Sequence, residues 1–334
     1  MSEDLSGAEE EVAFWRGAFE RYKNDPSKSY IGVKLDPDRP LQGEIAERVR
    51  ISVDGEQKIA RILDVGCGPL STVGKKADGL DVELVGLDPL ADEYQMLIDE
   101  AGLKSPHTSV AGFAEKASEY FGEGSFDYVH AENSLDHVQD AERAVAELQK
   151  TCRPDAVFFF RVFVNEGEHN HYSGLHQWNF DSYNGKVIFW RPGQIHFLDE
   201  VFQLPVRFWY DDAVHGPHEK HRKFLNCEVH NTDLTKGFTD IGGMKVRYLP
   251  RFSNLVLQRN DSFDFDARCF AHFHFKDQPR HVESLVWPSS DKHHVLKVPE
   301  GELSRIVLGQ FSKKVLPSGD QELTELWSGS VPLE

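Results

Sequence analysis

The stretch Arg61-Ile-Leu-Asp-Val-Gly-Cys-Gly-Pro-Leu70, with Val85-Gly-Leu-Asp-Pro89 behind it, restricts the fold more than any other part of the chain. An apolar strand runs into a glycine turn, and a second short strand closes on an acid about twenty residues later. That layout describes a nucleoside-binding crevice at the carboxyl ends of parallel strands. The surrounding elements follow from periodicity. Val12, Trp15, Phe19 and Tyr22 share one helical face of residues 9–23, and Asn24-Asp25-Pro26 stops that helix. A linker carrying Leu35-Asp-Pro-Asp-Arg-Pro40 leads to a second helical pattern over 43–51.

Residues 61–65, 83–87, 108–111 and 126–131 read as strands, with a helix over 93–101. Asp140 caps a helix running to Lys150 that buries Ala141, Ala144, Val145 and Leu148. The continuous apolar run 156–164 suits a strand buried on both faces. A helix over 232–240, ending near Gly242-Gly243, and strands at 244–248 and 254–258 are expected to complete the sheet. Residues 165–222 are too long for a plain connection and are expected to form a functional insertion. Asn184-Gly185 marks a hairpin inside it, between 178–183 and 186–190. From residue 261, Phe263, Phe265, Ala267, Cys269, Ala271, Phe273 and Phe275 alternate with mostly polar neighbours. Short apolar runs follow, split by Pro288, Pro299-Glu-Gly301 and Pro317-Ser-Gly319, so a small all-β domain is expected.

The position of charge says which nucleoside the crevice suits. Asp64 stands two places before Gly66, at the mouth of the turn. A carboxylate there repels a pyrophosphate and attracts the ammonium and sulfonium of S-adenosylmethionine. Ser71 stands where the dinucleotide fingerprint requires its third glycine. The succession Leu-Asp-Val-Gly-Cys-Gly, then Gly-Leu-Asp, then Ser125-Phe-Asp-Tyr-Val129 resembles the class I S-adenosylmethionine-dependent methyltransferases over roughly residues 42–260. The resemblance implies an α/β fold: a doubly wound, Rossmann-like methyltransferase sheet with a lid insertion and a small C-terminal all-β domain. The expected division is 1–41, N-terminal helix and linker; 42–260, cofactor-binding domain with the insertion at 165–222 as substrate lid; and 261–334, β-rich accessory domain.

By the same resemblance S-adenosylmethionine is the cofactor. Gly66 and Gly68 let the backbone approach it, Asp64 faces its amino group, and Asp88 accepts from its ribose hydroxyls. Phe113 and Ala114 meet the adenine, and Asn133 lies beside the methionine part. The string Gly174-Leu-His-Gln-Trp-Asn-Phe180 is similar to one in a bacterial subgroup of these enzymes.

Methyl transfer needs a nucleophile held in line behind an activated methyl group, and a group to take its proton. Candidates lie after strand four, in Glu132-Asn-Ser-Leu-Asp-His-Val138, and in Asn165-Glu-Gly-Glu-His-Asn-His-Tyr-Ser-Gly-Leu-His-Gln-Trp-Asn179. His137, His169, His171 and His176 are the candidate catalytic residues, with Tyr172 and Trp178 as substrate contacts. Structural readings stand beside these: a capping Asp136 with a loop-fixing His137, and hydrogen bonding within the insertion. The spacing of His169 and His171, near Glu166 and Glu168, matches no standard zinc signature, and no metal is assigned. His215, His218 and His221 read as a solvated loop, because Pro217 breaks any helix that would align them.

The net charge of -18 over 334 residues leaves no electrostatic footprint for nucleic acid. Cys67, Cys152, Cys227 and Cys269 form no Cys-x-x-Cys pair, which argues against a disulfide framework or zinc knuckle. The start of the chain lacks a cationic signal region, and the longest apolar run falls short of the about 20 residues of a membrane span. A cytoplasmic location is the expectation. The leading functional expectation is methylation of a hydroxyl or amine on a small molecule, sugar or glycan. A non-catalytic S-adenosylmethionine-binding or assembly module, and then a protein methyltransferase, are the alternatives. The β domain is expected to serve structure or homo-oligomer formation ahead of glycan binding.

Overall fold

A computed structural model of the chain describes residues 7–26, 30–53, 58–201, 204–212, 222–233, 238–241, 244–252, 254–259, 268–279, 281–285, 293–315 and 321–333. The chain forms two compact units, Met1–Phe202 with Phe208–Thr232, and Gln203–Arg207 with Asp233–Glu334. The boundary therefore falls near residue 232, not at 260.

The first unit opens with helices α1 (Ala8–Asn24), α2 (Ile31–Leu35) and α3 (Gly43–Ser52). Its strands are β1 (Ile59–Val65), β2 (Asp81–Asp88), β3 (Thr108–Ala111), β4 (Phe126–Glu132), β5 (Cys152–Phe163), β6 (Asn179–Tyr183), β7 (Lys186–Arg191), β8 (Gln194–Phe197), β9 (Val206–Asp212) and β10 (Lys223–His230). Between them run α4 (Ala91–Glu100), α5 (Ala117–Phe121), α6 (Ala141–Thr151), α7 (Glu166–His169) and α8 (Leu198–Val201).

Seven strands form one sheet in the order β3-β2-β1-β4-β5-β10-β9. β1, β2, β3, β4 and β5 are parallel, and β10 runs antiparallel to β5. Strand order reverses between β1 and β4, the topological switch point where open α/β sheets bind ligands. The central strands are apolar on both faces, with Ile62, Leu63, Tyr128, Val129, Val157 and Phe160 fully buried. Asp140 caps α6 through the backbone N–H of Arg143 at 3.0 Å, as expected. A buried ion pair, Arg48 Nε to Glu228 Oε1 at 2.6 Å, ties α3 to β10.

The strands that close this sheet differ from those expected. Residues 244–248 and 254–258 do form strands, but in the second unit. The sheet takes its last two strands from β9 and β10, in and just after the stretch read as an insertion. An apolar alternating run declares a strand without declaring which sheet it joins. The β6–β7 hairpin is as expected, with Tyr183 opposite Lys186. Asn184 and Gly185 turn at φ 50° and 76°, the positive angles a two-residue hairpin loop demands.

One helix is missing from the expected alternation. The chain from Gly66 to Leu80 crosses from β1 to β2 without helix. Its cover comes from the N-terminus: Trp15, Ala18 and Phe19 of α1 and Ile31 of α2 pack with Leu70, Leu90 and the apolar side of α4.

The second unit is all-β: β11 (Thr239–Ile241), β12 (Met244–Leu249), β13 (Asn254–Arg259), β14 (Arg268–Phe275), β15 (His281–Leu285), β16 (His293–Lys297), β17 (Leu303–Val315) and β18 (Gln321–Val331). The sheets β11-β12-β13-β16 and β15-β14-β17-β18 enclose Met244, Val246, Leu255, Leu257, Ala271, Phe273, Ile306 and Leu308. The period-two face of β14 thus points into a sandwich core, with Ala271 and Phe273 fully buried and His272 and His274 alternating with them. The helix expected over 232–240 is contradicted at Thr239–Ile241, which is strand. Phe263, Phe265, Ala267, His215, His218 and His221 lie outside the described residues.

Candidate active site

The turn after β1 is built on two left-handed glycines, Gly66 at φ 62° and Gly68 at φ 60°. The loop after β4 presses against it. A Cβ on Gly66 would stand 2.2 Å from the Cβ of Ser134, and the Ser134 hydroxyl donates to the carbonyl of Val65 at 2.9 Å. The two strand ends that flank the switch point are therefore clasped together. Asn133, at the head of this loop, is exposed with φ 50°, and its N–H donates to Arg161 O.

Asp88 ends β2, and its carboxylate accepts from the N–H of Gly68 and of Leu90, each at 2.9 Å. Burial raises its pKa to about 6, against the pull of those two N–H groups. Gly86, two residues earlier, leaves room for Cys67 and Ser109, whose side-chain atoms lie 2.5 and 2.6 Å from where a Cβ would be. Phe113 and the buried Ala114 follow β3 beside Asp88, whose carbonyl accepts from the N–H of Gly112 at 3.2 Å.

Asp64 is 3 % exposed, and its Oδ2 has no hydrogen-bond partner. Burial pushes the carboxyl above its usual range, opposed by His130, by a hydrogen bond from the Ser71 hydroxyl and by Lys34. A buried carboxylate oxygen without a donor is costly unless a ligand supplies one. Because no helix begins at the glycine turn, there is no helix N-terminus to hold a pyrophosphate. A cationic group meets this end of the crevice on better terms.

Several residues here are not among the site residues expected from sequence, although the sequence places Glu132 near His137. Lys34 donates to Leu70 O at 3.0 Å, and its ammonium lies 5.2 Å from the Trp15 ring centre. Trp15 roofs the turn, its ring 3.1 Å from a Cβ built on Gly68. A Cβ built on Gly7 would stand 3.2 Å from the backbone of Gly174, so the start of α1 lies against the insertion while Trp15 lies against the glycine turn. Glu132 accepts from Thr72 at 3.3 Å and pairs with Arg161 at 3.4 Å. Burial raises its carboxyl, but His130, Arg161 and Thr72 outweigh that and hold it at about 2. Ser71, noticed only as an absent glycine, is the hydrogen-bond donor to Asp64. Periodicity marks Trp15 only as part of a helical face and marks none of the others; the packing of α1 and the β4 loop gathers them.

The insertion delivers one histidine to the crevice. His176 Nδ1 lies 2.7 Å from Asp136 Oδ2 and 3.1 Å from His137 Nε2, and His137 Nε2 lies 3.4 Å from the same carboxylate oxygen. Burial would raise the Asp136 carboxyl, yet the charge of His137 and the hydrogen bond and charge of His176 hold it below the usual range. The string from Gly174 to Phe180 makes this docking. The N–H groups of Gln177 and Trp178 donate to Asp136 O at 2.8 and 3.0 Å, and the Gln177 amide donates back to Gly174 O. Asn179 accepts from the N–H of Glu168 and donates to Tyr172 Oη. Glu166, which pairs with Arg222, lies 3.9 Å from His176.

The other candidates sit elsewhere. His169 and His171 are exposed at the end of α7 and on the turn behind it, outside the Asp136–His137–His176 cluster. Trp178 is 1 % exposed and stacks under the Arg191 guanidinium at 4.3 Å, so it holds the insertion together and offers no face to an acceptor. Tyr172 is half-buried and engaged with Asn179, an internal strut with φ 54°. A histidine's place in a string of polar residues does not reveal which way the loop turns; the paired positive φ at His171 and Tyr172 aims the chain here.

Among the described residues, no helix is long and apolar enough to cross a membrane. The methyltransferase domain family model matches residues 34–202. Among curated proteins, the O-methyltransferase cnsE of Penicillium expansum is 31% identical over 165 residues, 49% of this chain and 54% of that one. The O-methyltransferase rstn1 of Aspergillus nomiae is 29% identical over 136 residues, 37% of this chain and 58% of that one. The chain spans a little over half the length of these relatives. A solved Haemonchus contortus phosphoethanolamine N-methyltransferase 2 is similar at TM-score 0.39 and 12% identity, over 64% of this chain and 60% of that one. The family match covers just over half of the chain, including the glycine turn, Asp88 and the Asp136 cluster, and the chain belongs to the methyltransferase domain family, among the class I S-adenosylmethionine-dependent enzymes.

Proposed function

We propose that this chain transfers the methyl group of S-adenosylmethionine to a hydroxyl oxygen of a small-molecule acceptor. The observation that carries the reading is the buried, unpartnered Oδ2 of Asp64 beside a helix-free glycine turn. It fits the methionine ammonium of the cofactor. Asp88 suits the ribose hydroxyls, and Lys34, roofed by Trp15, suits the methionine carboxylate. Oxygen is preferred over nitrogen because the matching curated relatives are O-methyltransferases. A sugar or glycan hydroxyl belongs to this acceptor class, and the Gly174–Phe180 string supports placing the chain in the bacterial subgroup that shares it.

Bound cofactor would supply the methyl carbon and take the carbon–sulfur electron pair back onto sulfur. The chain's own groups do the rest. The Asp136–His137–His176 cluster engages the acceptor hydroxyl at the carboxyl ends of the strands. An imidazole backed by Asp136 would accept the acceptor's hydroxyl proton. Trp15 of α1 covers the glycine turn.

The test is to incubate the whole chain with methyl-labelled S-adenosylmethionine and a panel of phenols, sugars and hydroxylated metabolite-like compounds. Label is expected on an acceptor oxygen. Cofactor that binds yet never loses its methyl group across the panel would favour the non-catalytic binding module.

A further inference from the structure

We propose that Asp136, His137 and His176 form a binding site for one divalent transition-metal cation. Three ligand atoms, Asp136 Oδ2, His137 Nε2 and His176 Nδ1, stand at the corners of a triangle with edges of 2.7, 3.1 and 3.4 Å. Ligands at about 2.1 Å from an ion lie about 3.0 Å apart when mutually perpendicular and about 3.4 Å apart when tetrahedral. The triangle therefore has the size of three ligands on one face of a metal ion. With a hydrogen on each facing ring nitrogen, His176 Nδ1 and His137 Nε2 both point at Asp136 Oδ2, so a cation and these two hydrogens are alternative occupants of the triangle.

The donor set selects the class of ion. Two imidazole nitrogens and one carboxylate suit zinc, cobalt, manganese or iron(II), and disfavour magnesium and calcium, which prefer oxygen. The surroundings hold the ligands in place. Asp136 is buried, and its carbonyl is fixed by the N–H groups of Gln177 and Trp178. His137 and His176 remain about a third exposed, which leaves the open side for further ligands. Glu166, 3.9 Å from His176 Nδ1, is the nearest further carboxylate, and its pairing with Arg222 keeps it outside the triangle. An ion at this place and a proton on the facing imidazole nitrogens exclude each other. The cation would use the same side chains that the methyl-transfer reading uses to accept a proton, so the ion-bound cluster and the proton-accepting cluster are alternative states of one site.

The experiment strips the whole chain with a chelator, dialyses it metal-free and titrates it with Co²⁺, reading the visible absorption of the bound ion and the heat. One Co²⁺ per chain is expected, at micromolar affinity or tighter, displaced by Zn²⁺. His176→Gln and Asp136→Asn should weaken it at least a hundredfold, whereas His274→Gln in the second unit leaves it unchanged. His137→Gln serves as the alternative should either variant fail to fold. S-adenosylhomocysteine binding is measured in the same samples. Protein that binds S-adenosylhomocysteine but shows no saturable cobalt binding overturns the cation site and leaves the methyltransferase reading intact. Cobalt binding undiminished in folded His176→Gln also overturns it. Cobalt binding without S-adenosylhomocysteine binding supports the cation site and counts against the methyltransferase reading.

Discussion

The imidazole of His176 stands 2.7 Å from the carboxylate of Asp136, although forty positions of sequence separate them. The loop after β4 supplies the carboxylate and the insertion after β5 supplies the imidazole. The two meet because β4 and β5 are parallel neighbours whose ends open into the same crevice.

Breaking that pair should cost turnover without costing cofactor. His176→Gln and Asp136→Asn are each expected to lower kcat by about 10²- to 10⁴-fold, the usual worth of a positioned proton acceptor. Binding of S-adenosylhomocysteine should stay within about threefold, since neither side chain belongs to the glycine turn. His169→Ala and His171→Ala, on exposed ground, should change kcat less than about threefold. Steady-state kinetics with the first acceptor found checks all four.

Gly66→Ala should destabilise the protein and weaken cofactor binding together. The new Cβ would meet Ser134 at 2.2 Å, in a backbone held at φ 62°. A cost of about 1–3 kcal/mol is expected from the conformation alone, with the clash in addition. Urea unfolding and calorimetry on the same variant measure both effects.

Asp88 should give the protein two opposed pH responses. Its folded pKa, about 6, is raised by burial above the ordinary 3.8. The stability this group contributes is complete below pH 3.8 and is lost as pH rises through about 6. The full change is about 3 kcal/mol, at about 1.4 kcal/mol for each pH unit of the shift. Binding moves the other way, because the ionised carboxylate keeps lone pairs for ribose hydroxyls beyond those taken by the N–H groups of Gly68 and Leu90, and protonation removes one of them. S-adenosylhomocysteine should bind more weakly as pH is lowered from 7.5 to 5. In Asp88→Asn both dependences should flatten, as followed by calorimetry and by urea unfolding across that range.

Glu228→Gln tests the joint between α3 and β10. It leaves the Arg48 guanidinium, buried at 2 % exposure, without its buried charge partner and facing only the exposed Glu44 carboxylate at 3.1 Å. A loss of about 3–5 kcal/mol is expected in urea unfolding. Replacing both residues with apolar ones of like volume should recover much of it.

The legible parts of this molecule are those whose signal is local. The strand into Gly66, the acid at Asp88, the cap at Asp140 and the Asn184-Gly185 turn each follow from a few adjacent residues, and the structure has them all. The illegible parts depend on remote partners. Residues 244–249 announce a strand, yet only pairing with Asn254–Arg259 decides which sheet they join. His176 and His169 look equivalent in sequence; the docking of Gln177 and Trp178 onto Asp136 separates them. The absent helix after Gly68 is replaced by α1, which begins sixty residues earlier. Trp15 and Lys34 consequently reach the cofactor crevice from a segment that reads as an ordinary amphipathic helix and linker.

The central claim is that the Asp64 carboxylate holds a cationic nucleoside. Calorimetry of S-adenosylhomocysteine and NAD against the native chain and Asp64→Asn tests it most directly. S-adenosylhomocysteine is expected to bind near micromolar in the native chain and at least tenfold more weakly in Asp64→Asn, with no NAD binding in either. NAD uptake by the native chain, with S-adenosylhomocysteine ignored, would contradict it.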